Sequence, residues 1–372
     1  MRIRGTRRWA VVATGLALLC VLPVVASALP VTVPRLTASQ LRARIEASSG
    51  ASFSGYAESN ATFGLPSLPG LSDLTSLLDG VTKMQVWQAA PDRWRVDVLT
   101  DAGERDTYQL GRATYTWDSG HELLTEVLGQ SLLRLPRPAD LVPPALALRL
   151  LSEAGRRARI SLIPPVRVAG QSAAGLRVTP SDAASTVGHV DIWAAPGTGL
   201  PLMVEIFGRG AAIPALESQF FQVGPWHPAA SVLTPVRGPG TGFSVTSAAD
   251  VAGILNSLGL GVFPGELAGR RRVATPAGFR VIGIYGGGLA TFVVAGLRGR
   301  TGRRLIPDAL SAGGTALDLP GAAGAAISAP LLNAVIVQPA DVSLTFLLAG
   351  TVSDEVLEQA ATTLTSEQDR AP

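Results

Sequence analysis

The sequence predicts an α+β fold in two unequal domains, a large antiparallel β domain followed by a smaller mixed α/β domain. Three observations carry that expectation. Short strand-like alternations separated by Gly, Pro and Asp turns recur from Lys83 to Leu128 and again from Val166 to Phe207, the spacing of strands joined by tight connections. Helical patterns are confined to four places, after Thr37, Pro143, Ser247 and Ser353. The composition breaks at Pro235-Val236-Arg237-Gly238-Pro239-Gly240, which reads as a linker. A chain of 372 residues suffices for two domains, and 41 Gly with 27 Pro agree with many turns. At 47% hydrophobic and 16% charged, the composition is the reverse of one that fails to bury a core.

The first 28 residues stand apart. Arg2, Arg4, Arg7 and Arg8 precede a charge-free, mostly apolar run from Trp9 to Ala26 that closes on Ala26-Ser27-Ala28, an export-signal pattern. The run is long for a cleaved signal and barely long enough to span a bilayer, so cleavage and retention as an anchor both stay open. Either outcome places the rest outside the cytoplasm under the positive-inside rule. The chain carries 31 basic and 28 acidic residues. Removing this segment leaves 27 basic against 28 acidic, so the exported body is near neutral and nucleic-acid binding is disfavoured. Cys20, the only cysteine, lies inside the run after Leu19. It can form no disulfide within the chain and lacks the small preceding residue of a lipidation site.

The body, expected as residues 35–234, opens with a helix. Thr37-Ala38-Ser39-Gln40 is a capping box flanked by Leu36 and Leu41, and Leu41 and Ile45 share a face. A first strand is expected from Phe53 to Phe63. Strands follow at Met84–Trp87, Arg93–Val98, Thr107–Leu110 and Thr114–Trp117, an antiparallel meander. Trp94, Val96 and Val98 share one face, and Arg93, Arg95 and Asp97 the other, so one side is expected dry and one wet. Pro143 and Pro144 start a Leu-rich helix carrying Leu146, Leu150 and Leu151 up to Gly155. Strands resume at Val166–Val168, Gly175–Val178, His189–Trp193 and Leu202–Phe207, the last two forming a hairpin about Pro196-Gly197-Thr198-Gly199.

Beyond the linker at 235–240, the smaller domain is expected over residues 241–366. Ser247 and Asp250 form a second capping box before Val251, Leu255 and Leu258; apolar strands flank Tyr285-Gly286-Gly287-Gly288; a strand at Ser343–Leu348 precedes a helix from Ser353. The glycine run lacks the Lys-Ser or Lys-Thr continuation and following helix of a phosphate loop, so it reads as a hairpin turn.

No catalytic motif stands out. His121, His189 and His227 lie far apart without ligand spacing, there is no Gly-x-Ser-x-Gly elbow, and no metal, cofactor or catalytic residue is assigned. An exported hydrolase is therefore the weakest of three functional classes, although triads need no local motif. Two clusters remain. Trp87, Trp94, Trp117 and Trp193 either line an apolar cavity, with Val96, Val98, Leu146, Leu150 and Val204, or belong to the core. Arg270, Arg271 and Arg272, with Arg298, Arg300, Arg303 and Arg304 downstream, either meet lipid headgroups or an acidic partner segment, or lie in solvated loops.

The runs Val86-Trp87, Pro91-Asp92-Arg93-Trp94-Arg95-Val96-Asp97, Gly103–Tyr108, Tyr115-Thr116-Trp117-Asp118, Asp191-Ile192-Trp193 and Gly199–Glu205 resemble the LolA-like and RseB/MucB-like extracytoplasmic proteins, in their actinobacterial form. The later Tyr285–Leu289 and Leu348–Val352 with the final helix resemble the second domain of the RseB type, which LolA-like carriers lack. The resemblance implies a large, curved, half-barrel antiparallel sheet plugged by helices, whose concavity holds acyl chains or apolar peptide. It implies no catalytic residue. A non-enzymatic, envelope-located protein binding a lipid, an acyl chain or a lipidated segment is the leading expectation. The alternative is a regulator that grips the extracytoplasmic part of a membrane protein such as an anti-sigma factor.

Overall fold

A computed structural model describes residues 31–64, 77–101, 103–129, 136–224, 227–248, 263–275, 281–340 and 344–368, with Gly253 and Asn256. The expected helix α1, Ala38–Ala47, forms as its capping box dictates. The Gln40 amide donates to Thr37 Oγ1 at 3.2 Å and the Thr37 amide donates to Gln40 Oε1 at 2.9 Å. Leu41 and Ile45 are fully buried.

Eleven antiparallel strands follow in the large domain: β1 (Phe53–Thr62), β2 (Asp79–Ala90), β3 (Arg93–Thr100), β4 (Gly103–Leu110), β5 (Ala113–Asp118), β6 (Leu123–Leu128), β7 (Arg159–Val168), β8 (Gln171–Thr179), β9 (Val187–Ala194), β10 (Pro201–Gly208) and β11 (Leu216–Gly224). Helix α2, Pro143–Ala154, interrupts them; it starts on Pro143 and stops at Gly155, whose φ of 66° ends the helix while its amide donates to the Leu151 carbonyl. A twelfth strand, β12 (Gly242–Ser247), pairs parallel to β6.

The order β12-β6-β5-β4-β3-β2-β1-β11-β10-β9-β8-β7 leaves β12 and β7 as unpaired edges, so the sheet is open, a half-barrel. The expected meander is present, and β11, a strand beyond those expected from the sequence, joins β1 to β10 and makes the two halves one sheet. Strand β7 begins seven residues before the expected Val166. Its Pro164-Pro165 pair sits where the ladder slips, between Ile163 and Val166, and an edge strand tolerates that.

Helices cover one face. Helix α1 packs on β7 and β8, α2 on β10 and β11, and the 3-10 turn Pro138–Leu141 against β3. One apolar cluster results, joining Leu41 and Ile45 to Met84, Val86, Trp94, Val96, Leu146, Leu151, Ile192, Val204 and Phe220. None of the described residues of β4, β5 or β6 belongs to it.

The second sheet comprises β13 (Glu266–Leu267), β14 (Arg270–Val273), β15 (Ile282–Gly287), β16 (Ala290–Arg298), β17 (Thr315–Leu319), β18 (Ala322–Ser328), β19 (Asn333–Pro339) and β20 (Leu344–Gly350), in the order β13-β14-β15-β16-β20-β19-β18-β17. Helix α3 (Gly299–Ser311) packs beside Ala325, Ile336 and Leu347, whereas α4 (Asp354–Gln368) packs beside Ala326, Val335 and Leu348. Residues that alternate along the strands thus serve opposite faces, and one helix covers each. The glycine run is the β15–β16 turn, with Gly286 and Gly288 at φ 91° and 67°.

Two expectations change. Residues 242–247, assigned from sequence to the smaller domain, extend the large sheet, because their backbone completes the edge of β6. The arginines at 298–304 lie at the start of helix α3 and those at 270–272 on β14, not in loops. The helix expected after Ser247 falls mostly outside the described residues. The two sheets meet along Asp182–Val187, where the Thr186 amide donates to the Thr351 carbonyl, the Ser353 amide to the Ala184 carbonyl, and Ser185 Oγ to the Leu289 carbonyl.

Candidate functional site

Alternation along the strands divides the expected cavity residues between two faces. Trp94, Val96 and Val98 lie on the helix-covered face with Leu146, Leu150 and Val204; all but Val98 are buried in the main apolar cluster, and half-buried Val98 packs at its margin. Trp87, Trp117 and Trp193 occupy the opposite face by register. Trp87 lies across from Arg95, Trp117 across from Asp106, and Trp193 over Gly175 with Nε1 donating to the Pro164 carbonyl at 3.0 Å. Trp193 nevertheless belongs to the main apolar cluster, so the structure brings seven of the nine together in or against it and places Trp87 and Trp117 elsewhere.

The face carrying Arg95 and Asp97, expected to be wet, is roofed. Residues 227–240 run back over β3 to β5 as a strap before β12, with Leu233 fully buried. Asp97, Asp106 and Tyr108 are correspondingly 2%, 2% and 6% exposed. Arg95 is their shared donor. Its Nε lies 2.6 Å from Asp97 Oδ1, its Nη2 is 2.9 Å from Asp106 Oδ2 and 3.3 Å from Glu104 Oε1, and its Nη1 reaches the Val232 carbonyl on the strap at 3.4 Å. The rings of Trp87 and Tyr108 lie 5.0 and 4.9 Å from the guanidinium carbon and hold it by cation–π attraction. Tyr108 also donates its hydroxyl to Asp106 Oδ2 at 3.1 Å.

Burial opposes charge on the two aspartates more strongly than Arg95 favours it. Desolvation pushes Asp97 up to about 8, and desolvation with the neighbouring Glu104 pushes Asp106 up to about 6. Between this floor and the strap lies a cavity of about 340 Å³, walled by Glu104, Asp106, Tyr108, Trp117 and Leu124 below and by Ser231, Thr234, Pro235 and Val236 above. The Arg93, Arg95, Asp97 alternation is visible in the sequence but marks no site by itself, because the roof comes from a segment more than 130 residues downstream.

Arg270 is engaged within the chain. Its Nη1 lies 2.5 Å from Asp182 Oδ2 and so ties β14 to the large domain, and this holds the Asp182 carboxyl below its ordinary value. Arg272 Nη1 donates to the Phe263 carbonyl at 3.4 Å, while Arg271 is exposed. His189 stacks on Phe207 at 4.4 Å between ring centres, and His121 pairs with Asp118 at the surface.

No family model and no curated protein matches this sequence. Among solved structures, the chain is similar to MucB in the Pseudomonas aeruginosa MucA/MucB complex, at 19% identity over 87% of this chain and 96% of that one, with a TM-score of 0.48. A structure of MucB with MucA(peri) aligns at 19% identity over 87% and 97% of the two chains, with a TM-score of 0.47. A LolA superfamily protein from Nitrosomonas europaea aligns at 12% identity over 54% of this chain and 99% of its own, with a TM-score of 0.24.

Proposed function

We propose that this chain is a non-enzymatic, extracytoplasmic binding protein that takes up an acyl chain or lipidated segment against the helix-covered face of its half-barrel. The observation that carries the reading is the mismatch between sheet and cover. Twelve strands form one open sheet, but the apolar cluster under α1 and α2 draws on β1–β3 and β7–β11 only. Its margin toward β4 is lined by half-buried Val98, with Phe63 and Leu148 also packed at the cluster surface. An apolar margin beside strands whose described residues stay outside the cluster is suited to a chain of methylenes, each contributing about 0.8 kcal/mol on burial before ordering costs.

The N-terminal arginine-rich apolar segment supports an address outside the cytoplasm. No described helix is long and apolar enough to cross a membrane, and residues 1–30 lie outside those described. The test is titration of purified protein with a fluorescent acyl probe. Saturable binding displaced by unlabelled fatty acid or lipopeptide is expected, and Val98→Asp weakens it at least tenfold. Folded protein without displaceable binding overturns the reading.

A second reading, capture of a membrane-protein partner, draws on the basic surface of the smaller domain. Arg300, Arg303 and Arg304 lie one turn apart on the exposed side of α3, opposite buried Gly302 and Ala309. A stoichiometric membrane protein retained through detergent and salt washing after crosslinking favours that reading over lipid carriage.

A further inference from the structure

We propose that the cavity beneath the strap is a second binding site, for a guanidinium or alkylammonium group, on the face of the large sheet turned away from the helices. It is independent of the acyl-binding reading.

The charges in the cavity do not balance. Asp97, Glu104 and Asp106 bring oxygens within 4.8 Å of one another, and among the described residues Arg95 is the cation bonded to all three. The Arg95 guanidinium cannot serve the remaining acceptor. It is held between Trp87 and Tyr108, and its bonds run to Asp97, Glu104, Asp106 Oδ2 and the Val232 carbonyl. Asp106 Oδ1 is left buried with no hydrogen-bond partner, on a side chain 2% exposed that lines the cavity. A buried carboxylate oxygen without a donor carries a desolvation cost that a ligand N–H would relieve.

The rest of the cavity selects the class of ligand. A hard divalent ion seeks six to eight oxygens, whereas the centre of the three carboxylates is already taken by the Arg95 guanidinium. The unfilled space is bounded instead by Trp117, Leu124, Pro235 and Val236, with the hydroxyl residues Ser231 and Thr234, so that an indole and aliphatic groups stand beside a carboxylate in a largely polar lining. That combination suits a delocalised or alkylated monovalent cation, which gains a charge-assisted hydrogen bond to Asp106 and stacking on Trp117. At about 340 Å³ the space matches an amino-acid side chain or a small amine rather than a bare ion. Glu104, whose side chain is 41% exposed, stands where such a cation would enter.

The experiment is calorimetric titration of the full chain at pH 7.5 with three probes: agmatine, a capped pentapeptide with a central arginine, and the same peptide with citrulline in its place. Calcium chloride is a fourth arm. Saturable binding of agmatine or of the arginine peptide, with the citrulline peptide at least tenfold weaker, is expected. Preference between the first two tells whether the group arrives free or on a polypeptide. Asp106→Asn reduces affinity at least tenfold and Glu104→Gln several-fold, while Glu217→Gln, on the far half of the sheet, leaves it unchanged. Glu104→Gln guards against loss of folding in the buried variant. Equal binding of arginine and citrulline peptides, calcium binding in preference to both cations, or no saturation by about 10 mM of either agmatine or the arginine peptide overturns the proposal.

Discussion

Two arginine–carboxylate clusters occupy the same face of the large sheet, at opposite ends, and they differ in what lies above them. In the first, Arg95 gathers Asp97, Glu104 and Asp106 under the strap. In the second, Arg177, Asp191, Glu205 and Glu217 stand side by side across β8, β9, β10 and β11. There the Arg177 guanidinium is bidentate to Asp191, at 2.7 and 2.6 Å, and its side chain is 39% exposed. Both clusters answer the same demand, since the face opposite a helix-covered core is polar by alternation. The roof makes the difference: it buries two aspartates with a cavity beside them, where each unpaired atom carries a greater cost, whereas in the open cluster Asp191 is buried but the Arg177 side chain reaches solvent.

The largest effect should come from removing the shared donor under the roof. Arg95→Met leaves Asp97 and Asp106 buried without their cation, and about 3–5 kcal/mol of stability is expected to be lost. Arg177→Met strands one buried aspartate rather than two, Asp191 being 3% exposed, and about 1–3 kcal/mol is expected. Urea unfolding of the two variants measures both; equal losses would break the contrast between roofed and open clusters.

The roof itself is tested at Leu233, whose side chain is 1% exposed. Leu233→Ala should cost about 2–4 kcal/mol if the strap unfolds together with the sheet. If the strap detaches by itself, global stability falls less, and amide exchange accelerates at 229–236 alone. In either case exchange across β9 and β10 follows only the global change.

A pH series sharpens the comparison further. Asp97 and Asp106 are raised to about 8 and about 6, by burial first, and Glu205 to about 7, by burial and then by Glu217 and Asp191. Each holds a proton in the folded state that the unfolded chain releases near pH 4. Their contribution is fully present below that pH and is lost as pH rises through the folded values. The difference in melting temperature between wild type and Asp97→Asn should therefore change between pH 4 and 8, and that between wild type and Glu205→Gln between pH 4 and 7. A difference that is flat with pH removes the assigned titration.

Local signals made much of this architecture legible. The capping box at Thr37, the Pro143 start and Gly155 stop of α2, and the alternation of β3 each act over a few residues, and each element formed where the pattern placed it. Long-range pairing was less legible. In β11, Leu216, Ser218 and Phe220 turn inward while Glu217 and Gln219 turn out, an alternation present in the sequence but weakened by the serine. The strap was hidden for another reason. Pro235 to Gly240 has linker composition, and nothing local reveals that the segment before it lies on Asp97 and Asp106. The tryptophans were legible as apolar residues on strands, but Trp87 and Trp117 alternate out of phase with Trp94, and only the register placed them with the charges.

The smallest effect tests whether the aromatic walls belong to the Arg95 cluster or merely border it. Trp87 stacks on the guanidinium at 5.0 Å, across from Arg95 in the ladder, so Trp87→Leu keeps apolar bulk while removing the ring. About 0.5–1 kcal/mol should be lost through the cation–π term. In the background of Arg95→Met the same substitution should cost nearly nothing, because there is no cation left to stack. A double-mutant cycle isolates that difference. A coupling near zero would mean that the guanidinium is positioned by its carboxylates alone, and that Trp87 serves only as a hydrophobic cover. A coupling of the expected size would mean that Arg95 is fixed from both sides and is not free to turn toward Asp106 Oδ1. The open cluster supplies the control: among the described residues no ring is stacked on Arg177, so substitution of Phe207, which stacks on His189 instead, should show no coupling to Arg177→Met.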